Sequence, residues 1–341
     1  MIRWEIKKLI KNKSIIISSI ILILLCSAMS FSKSDLETEN NYFDKNGNYV
    51  HDNRSKDVIA NEKLGNKVAE LETLDRANKD NKLDDMSRKM ANMASEKLQK
   101  DNGKSYKDIS FYKVFNFRIS NAFSGLVIAG ICVYIFSNIY TDEKLSNVDS
   151  IILSGKNKYK ALFSKLYLSI IIPIVIYLVY ILAIGVITSV QYGQPINGDL
   201  QAYRIVDTFS LLKPMTINGY TMVNILTLMI VFVSIGVFAS LFSFITNNSV
   251  QSIVSITVFI VIGKLITLLK FLPKNLLAVI GYSNYIDIIM NPQMIIGNYL
   301  GDINVFGQSI GIVNAGYIGL IVILMIGIVS NIYVFKKVLN K

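Results

Sequence analysis

Cysteine, histidine and proline are scarce in this chain of 341 residues, which has two Cys, one His and five Pro. Cys26 and Cys132 both lie inside apolar runs, so they build neither a disulfide framework nor a thiolate metal site. A lone His51 excludes most zinc sites and most chemistry that needs a histidine base. Charge is thin as well: 17% of residues are charged against 52% hydrophobic. The mean hydropathy of +0.44 stands far above that of an ordinary soluble domain. These shortages together point to a membrane protein.

What the sequence does have is long apolar runs, at 14–31, 119–140, 166–190, 220–245, 250–272 and 312–335. A bilayer core takes about 20 mostly apolar residues per helix. Barrel strands alternate and last only about 10 residues, so continuous runs of this length exclude a barrel. The expectation is an all-α polytopic membrane protein with six transmembrane helices. Residues 1–13 precede the first span, 32–117, 141–165 and 273–311 lie between spans, and 336–341 follow the sixth.

The net charge of +11 is explained by where the basic residues fall. Arg3, Lys7, Lys8, Lys11 and Lys13 precede the first span. Lys144, Lys156, Lys158, Lys160 and Lys165 lie between the second and third, and Lys336, Lys337 and Lys341 follow the sixth. Segment 33–113 holds sixteen basic and sixteen acidic residues and is too long to direct insertion. The positive-inside rule then places both termini in the cytoplasm. No basic face interleaved with aromatics is present, so nucleic acid is not an expected partner.

Ile2, Ile6, Leu9 and Ile10 recur at helical spacing beside Trp4, the pattern of an interfacial elbow helix ahead of the first span. A cleaved leader ending near Ala28 is the alternative. In the polar insert 32–117, Leu64, Val68, Leu71 and Leu74 form one apolar stripe and Leu83, Met86, Met90, Met93 and Leu98 a second, which predicts a helical hairpin outside the membrane. Two readings of it stay open: a solvated insert packed on itself, or a cap over a translocation exit.

Catalytic motifs fail on context. GQSIG at 307–311 matches the nucleophile-elbow pattern but lacks a histidine partner, and Gly155-Lys156 lacks the preceding glycine of a phosphate loop. An enzyme is therefore not expected. The short loop YTDEKLSNVDSIILSGKNKYKALFSKL, 140–166, carries more information. Ser146 with Asp149 three residues on is a capping-box pattern. Val148, Ile151 and Ile152 supply an apolar face, and Gly155 stands where a left-handed stop falls. A helix this short needs a partner to pack on, and lipid or a groove of a cytoplasmic protein are the two candidates.

At this loop the sequence resembles the ABC-2-type exporter permeases, the transmembrane subunits of ABC transporters. In that family an acidic residue, a short coupling helix, a break and a basic stretch lead into the third of six spans. Glu143, residues 147–153, Gly155 and residues 156–165 occupy those places here, with Ser154-Gly155 where the family often has proline. The size and the insert look most like those of the branch that exports phenol-soluble modulins, which are amphipathic helical peptides. The resemblance implies export of an amphipathic peptide or lipid-like molecule by a dimer of this chain with itself or a similar permease. ATP and Mg are then held by a separate ATPase subunit, with no cofactor or metal in this chain. It also implies that Glu143, Asn147, Asp149, Ile152 and Leu153 meet the ATPase, and that the second and fifth spans line the path with Asn121, Ser124, Tyr134, Ser137, Ser255 and Thr257.

Lys264, past the middle of the fifth span, is costly in hydrocarbon unless it snorkels, pairs or faces water. Snorkelling to the interface and a cavity-facing cation are both open. Segment 273–311 contains two apolar pieces too short to span, which predicts re-entrant or interfacial half-helices. Gly125 with Ala129, Gly236 with Ser240 and Ala315 with Gly319 suit close helix approach. The rival function is a membrane sensor or immunity protein that binds an extracellular peptide without transport. A secondary transporter lacks support, because the spans carry no carboxylate and no inverted repeat of broken helices.

Overall fold

A computed structural model describes residues 2–43, 49–77, 84–101, 105–206, 212–269, 272–305 and 307–339. In chain order the helices are α1 (Ile2–Lys11), α2 (Lys13–Phe31), α3 (Lys56–Ala77), α4 (Asp85–Lys100), α5 (Ser110–Ile119), α6 (Ala122–Ser137) and α7 (Thr141–Leu145). There follow α8 (Asp149–Ser154), α9 (Lys158–Tyr192), α10 (Ile217–Ile245), α11 (Ser249–Leu268), α12 (Lys274–Gly281), α13 (Tyr285–Met290) and α14 (Ile312–Leu339). Two antiparallel hairpins complete the described elements: β1 (Asn41–Phe43) with β2 (Tyr49–His51), and β3 (Asp302–Val305) with β4 (Gln308–Gly311). The chain is mostly helical, and six helical segments, α2, α6 continued through α7, α9, α10, α11 and α14, are long and apolar enough to cross a membrane.

Short polar side chains start several of these helices. Asn12 accepts from Ser14 N at 3.0 Å, Asn121 from Phe123 N at 2.9 Å, Thr216 from Gly219 N at 3.1 Å and Asn248 from Gln251 N at 2.8 Å. Each satisfies an amide that the first turn of a helix leaves unpaired, which is most valuable where water is scarce. Asn12 also breaks α1 from α2. The second span divides at Ser120–Asn121, so its helix starts at Ala122 and α5 forms a separate buried element against α9.

α10 is the central helix, packed on α6, α9, α11 and α14. Its inward residues Leu228, Val231, Phe232, Ile235 and Val237 are almost wholly buried. α2, α9, α11 and α14 turn apolar faces outward, exemplified by Leu24, Val186, Val258 and Val329, as lipid-facing helices do. Among the helix glycines, Gly236 permits the closest approach: a methyl there would stand 2.6 Å from Ser169 O and 2.8 Å from Pro173 Cγ of α9. Pro173 cannot donate the bond that the Ser169 carbonyl would receive, and α10 presses its glycine on that spot. Gly125, by contrast, makes room for Ile289 of α13, at 2.9 Å, and Gly319 has only ordinary contacts near Ser283.

The insert forms a helix pair, α3 on α4, around Leu64, Val68, Leu71 and Ala94. Its buried α4 face is Ala91, Ala94 and Lys97, whereas Met86 is exposed and Met90, Met93 and Leu98 are half-buried. The expected methionine stripe is thus rotated, because small alanines let α3 approach more closely than methionines do. Burial pushes the Lys97 ammonium down to about 8. Leu74 is 40% exposed, and Leu83 and the NKDNK stretch lie outside the described residues. The pair does not merely pack on itself: Tyr203, from the α9–α10 connection, joins its core.

Candidate functional site

The two ends of the bundle differ in chemistry. At the end carrying both termini, Tyr140 and Thr141 donate backbone N–H groups to Ser243 Oγ at 2.9 and 3.2 Å. Lys144 Nζ donates to the Phe244 and Thr246 carbonyls at 2.7 and 2.6 Å, a cation placed on the negative end of α10. α7 is therefore fixed to the central helix. Ser146 Oγ donates back to Asp142 O at 2.7 Å, so it closes α7 and does not cap α8, which has no side-chain cap. Asn147, at φ 55°, makes the left-handed turn between them. Asparagine tolerates that conformation, and Gly155 at φ −73° and ψ 148° is extended. The left-handed stop expected at Gly155 is thus supplied eight residues earlier, before the helix and not after it.

This arrangement sorts the residues of the loop. Leu145, Val148 and Ile151 are exposed, at 63%, 36% and 68%. Asn147 is exposed, Asp149 and Ile152 are half-buried, and Leu153 packs on the core of the bundle. Of the apolar face read from the sequence, Val148 and Ile151 project, whereas Ile152 and Leu153, the two apolar contacts implied by the family resemblance, do not.

Glu143 is 2% exposed and turned inward. Its Oε1 accepts from Lys165 Nζ of α9 at 2.6 Å and also from Lys8 Nζ of α1. Lys165, fully buried, donates further to Glu5 Oε2 at 3.2 Å and to Ile139 O at 3.1 Å. Asn12 Nδ2 donates to Asp142 Oδ2 at 3.3 Å beside it. Two carboxylates and two ammonium groups thus balance in charge and join α1, α7 and α9 in one knot. Sequence reading placed Lys165 only as a flanking charge, since a partner such as Glu5, 160 residues away, leaves no local signal.

The path residues scatter. Ser124 is fully buried and donates to Asn121 O at 2.8 Å, while Asn121 itself caps α6. Ser137 is fully buried with no partner for its hydroxyl among the described residues, and Tyr134 is half-buried. On α11, Ser255 is half-buried and Thr257 exposed, its hydroxyl donating to Ile253 O at 2.8 Å.

Lys264 is paired, with its side chain 42% exposed. It donates to both carboxylate oxygens of Asp287, on α13, at 2.8 and 3.0 Å. Asn284 Nδ2 supports the same carboxylate at 2.8 Å. α12 and α13 are indeed short helices, wedged against α6, α11 and α14. The signal available for this pair was an acidic residue inside the apolar piece YIDIIM.

At the opposite end, Glu37 holds the insert to the bundle. It accepts from Lys113 of α5 at 2.8 Å and from Lys67 of α3 at 3.3 Å, and Lys67 also reaches Arg204 O at 3.0 Å. Burial pushes the Glu37 carboxyl up, yet Lys113 and Lys67 outweigh it and hold it below its ordinary value. Arg204 Nη2 donates to Asp101 at 2.8 Å, and Lys89 of α4 pairs with Asp302 of β3. Arg118, fully buried, donates to Ser32 O at 2.9 Å and Ser30 O at 2.8 Å, and to Thr188 and Gln191 of α9 at 2.9 and 2.6 Å. It closes the carbonyl end of α2 in the way a basic side chain closes a helix C-terminus. A polar cleft of about 330 Å³ beneath the insert includes Lys33, Asp35, Asn116 and Gln293. Ser309 of the GQSIG string is exposed on β4, while His51 contacts Asn41 Oδ1 at 2.6 Å in the other hairpin.

No protein-family model matches the chain, and neither a curated protein nor a solved structure does.

Proposed function

We propose that this chain is the membrane-embedded subunit of an ABC-2-type exporter, with both termini in the cytoplasm of a bacterium and ATP hydrolysis on a separate subunit. The observation that carries this reading is the pairing of an exposed apolar loop with a buried anchor. Leu145, Val148 and Ile151 stand out from α7–α8, while Glu143, one turn away, is tied to Lys165 and α1. Such a loop is a stiff lever: a push on it moves α9 and α1 together, because removing charges from a buried knot is expensive. Protruding apolar anchors ringed by polar groups are the usual core of a protein contact.

In this reading an amphipathic peptide or lipid-like molecule crosses between two permease subunits, either two copies of this chain or one with a similar chain. The outward apolar face of α11 is the surface such a second subunit meets. α3 and α4 cap the exit, held there by Glu37, Arg204 and Lys89. Glu143 serves as the lever's anchor, and the ATPase contact falls to Leu145, Val148, Asp149 and Ile151.

The test is affinity purification of the full chain from native membranes in mild detergent, followed by mass spectrometry and ATP turnover. Wild type brings down a stoichiometric ATPase, and Leu145→Asp/Ile151→Asp loses it while keeping its expression and monodispersity. A well-folded wild type that recovers no ATPase overturns the reading and favours a sensor or immunity protein.

A further inference from the structure

We infer that the groove between α1 and the start of α9 is a site for one anionic glycerophospholipid. The groove is open, has a volume of about 660 Å³ and includes Ile2, Arg3, Lys160, Phe163, Tyr167 and Ile170 in its lining. Its floor is apolar, with Ile2, Phe163 and Tyr167 each more than 40% exposed. Phe163 also meets Phe335 of α14 edge-on at 5.8 Å, which extends the apolar wall along the bundle. Two cations, Arg3 and Lys160, stand at its rim, and neither makes an ion pair among the described residues. Their neighbours differ in this respect, since Lys8 and Lys165 are both committed to the buried knot.

The occupant follows from charge and position. α1 is amphipathic and α9 passes from Lys158 into a long apolar run, so the groove lies where headgroups give way to acyl chains. Two unpaired cations above an apolar slot match a phosphate diester with a fatty chain below it. A guanidinium holds two phosphate oxygens at once, and an ammonium adds a point charge beside it. Basic side chains at this depth favour anionic over zwitterionic lipid. A lipid bound there would brace α1 against α9, the two helices that Glu5 and Lys165 join from the other side.

Trp4 is the only tryptophan, is 51% exposed and follows Arg3 directly, which gives the site its own probe. The full chain is reconstituted in phosphatidylcholine vesicles in which brominated phosphatidylglycerol or brominated phosphatidylcholine replaces part of the lipid. The expected result is a preference of roughly fivefold or more for phosphatidylglycerol in the quenching of Trp4, abolished in Arg3→Gln/Lys160→Gln. Lys156→Gln/Lys336→Gln, which removes the same charge from the same end outside the groove, keeps the preference. Equal quenching by both lipids in wild type overturns the site. So does loss of preference in the control variant, the mark of diffuse surface attraction, and so does shielding of Trp4 from both lipids, the mark of a protein segment in the groove.

Discussion

Lys165 shows what a single buried charge demands. Fully enclosed, it has two carboxylates and a carbonyl within 3.2 Å, and removing it leaves Glu5 and Glu143 with Lys8, paired to Glu143, as their one remaining cation. A half-broken buried pair costs about 3–5 kcal/mol, while replacement of both partners by apolar groups is often close to neutral. Lys165→Met is therefore expected to lower the detergent unfolding midpoint sharply. Lys165→Met/Glu143→Leu recovers much of the loss, because Glu5 and Lys8, three residues apart on α1, then pair with each other. Identical midpoints for the single and double variants in a thermal melt would show that the four charges do not act as one unit. Lys264 and Asp287 form a second such pair, half-exposed and correspondingly weaker.

Among the elements, the α3–α4 pair is joined to the bundle by charge as well as by the packing of Tyr203. Its charged contact with the rest of the chain runs through Glu37, Arg204 with Asp101, and Lys89 with Asp302. The Glu37 carboxyl lies below its ordinary value near 4.5, and the Lys89 ammonium holds the Asp302 carboxyl below its own. A carboxyl lowered in the folded state contributes stability that is fully present above its unfolded value and is lost as pH falls through the folded one. Hydrogen exchange of α3 is thus expected to be slow at pH 7 and to quicken, after correction for intrinsic rates, below about pH 4.5. Glu37→Gln flattens that dependence by exposing α3 already at neutral pH. Protection of α3 that is unchanged from pH 7 to pH 4 would sink the electrostatic account. Helix periodicity located both helices of this pair but misjudged the buried face of α4, since the spacing of methionines carries no information about which neighbour comes nearest.

For the molecule as a whole, enclosure is uneven. In α10, 72% of the most apolar window is buried, against 17% in α11. Val254, Val258, Ile262 and Leu265 leave one flank of α11 open, free to meet lipid or a second subunit of the kind proposed. With Cys26 and Cys132 replaced by Ala, Val258→Cys is expected to cross-link in native membranes. A product twice the chain mass indicates a homodimer, and a link to a different chain of similar size a heterodimer. Absence of both products would take this flank out of any subunit interface.

Six apolar runs, their lengths and the distribution of Lys and Arg determined from the sequence alone that this is a six-helix membrane protein with a polar insert. Those properties depend on composition and local periodicity, which neighbouring residues carry by themselves. Helix starts are also specified locally, since Asn12, Asn121 and Asn248 act within three residues of their own position, but the one start read from the sequence, at Ser146, belongs to the end of α7 instead. Tertiary structure decided the rest. Glu143 turned from a surface charge into the centre of a knot because Lys165 and α1 reach it from 22 and 135 residues away. Lys264 found Asp287 only when α13 folded back against α11. Ile151, not Leu153, faced outward because Asn147 took the left-handed turn and set the roll of α8. Long-range pairing and the rotation of a short helix are set by packing, and packing leaves no period in the chain.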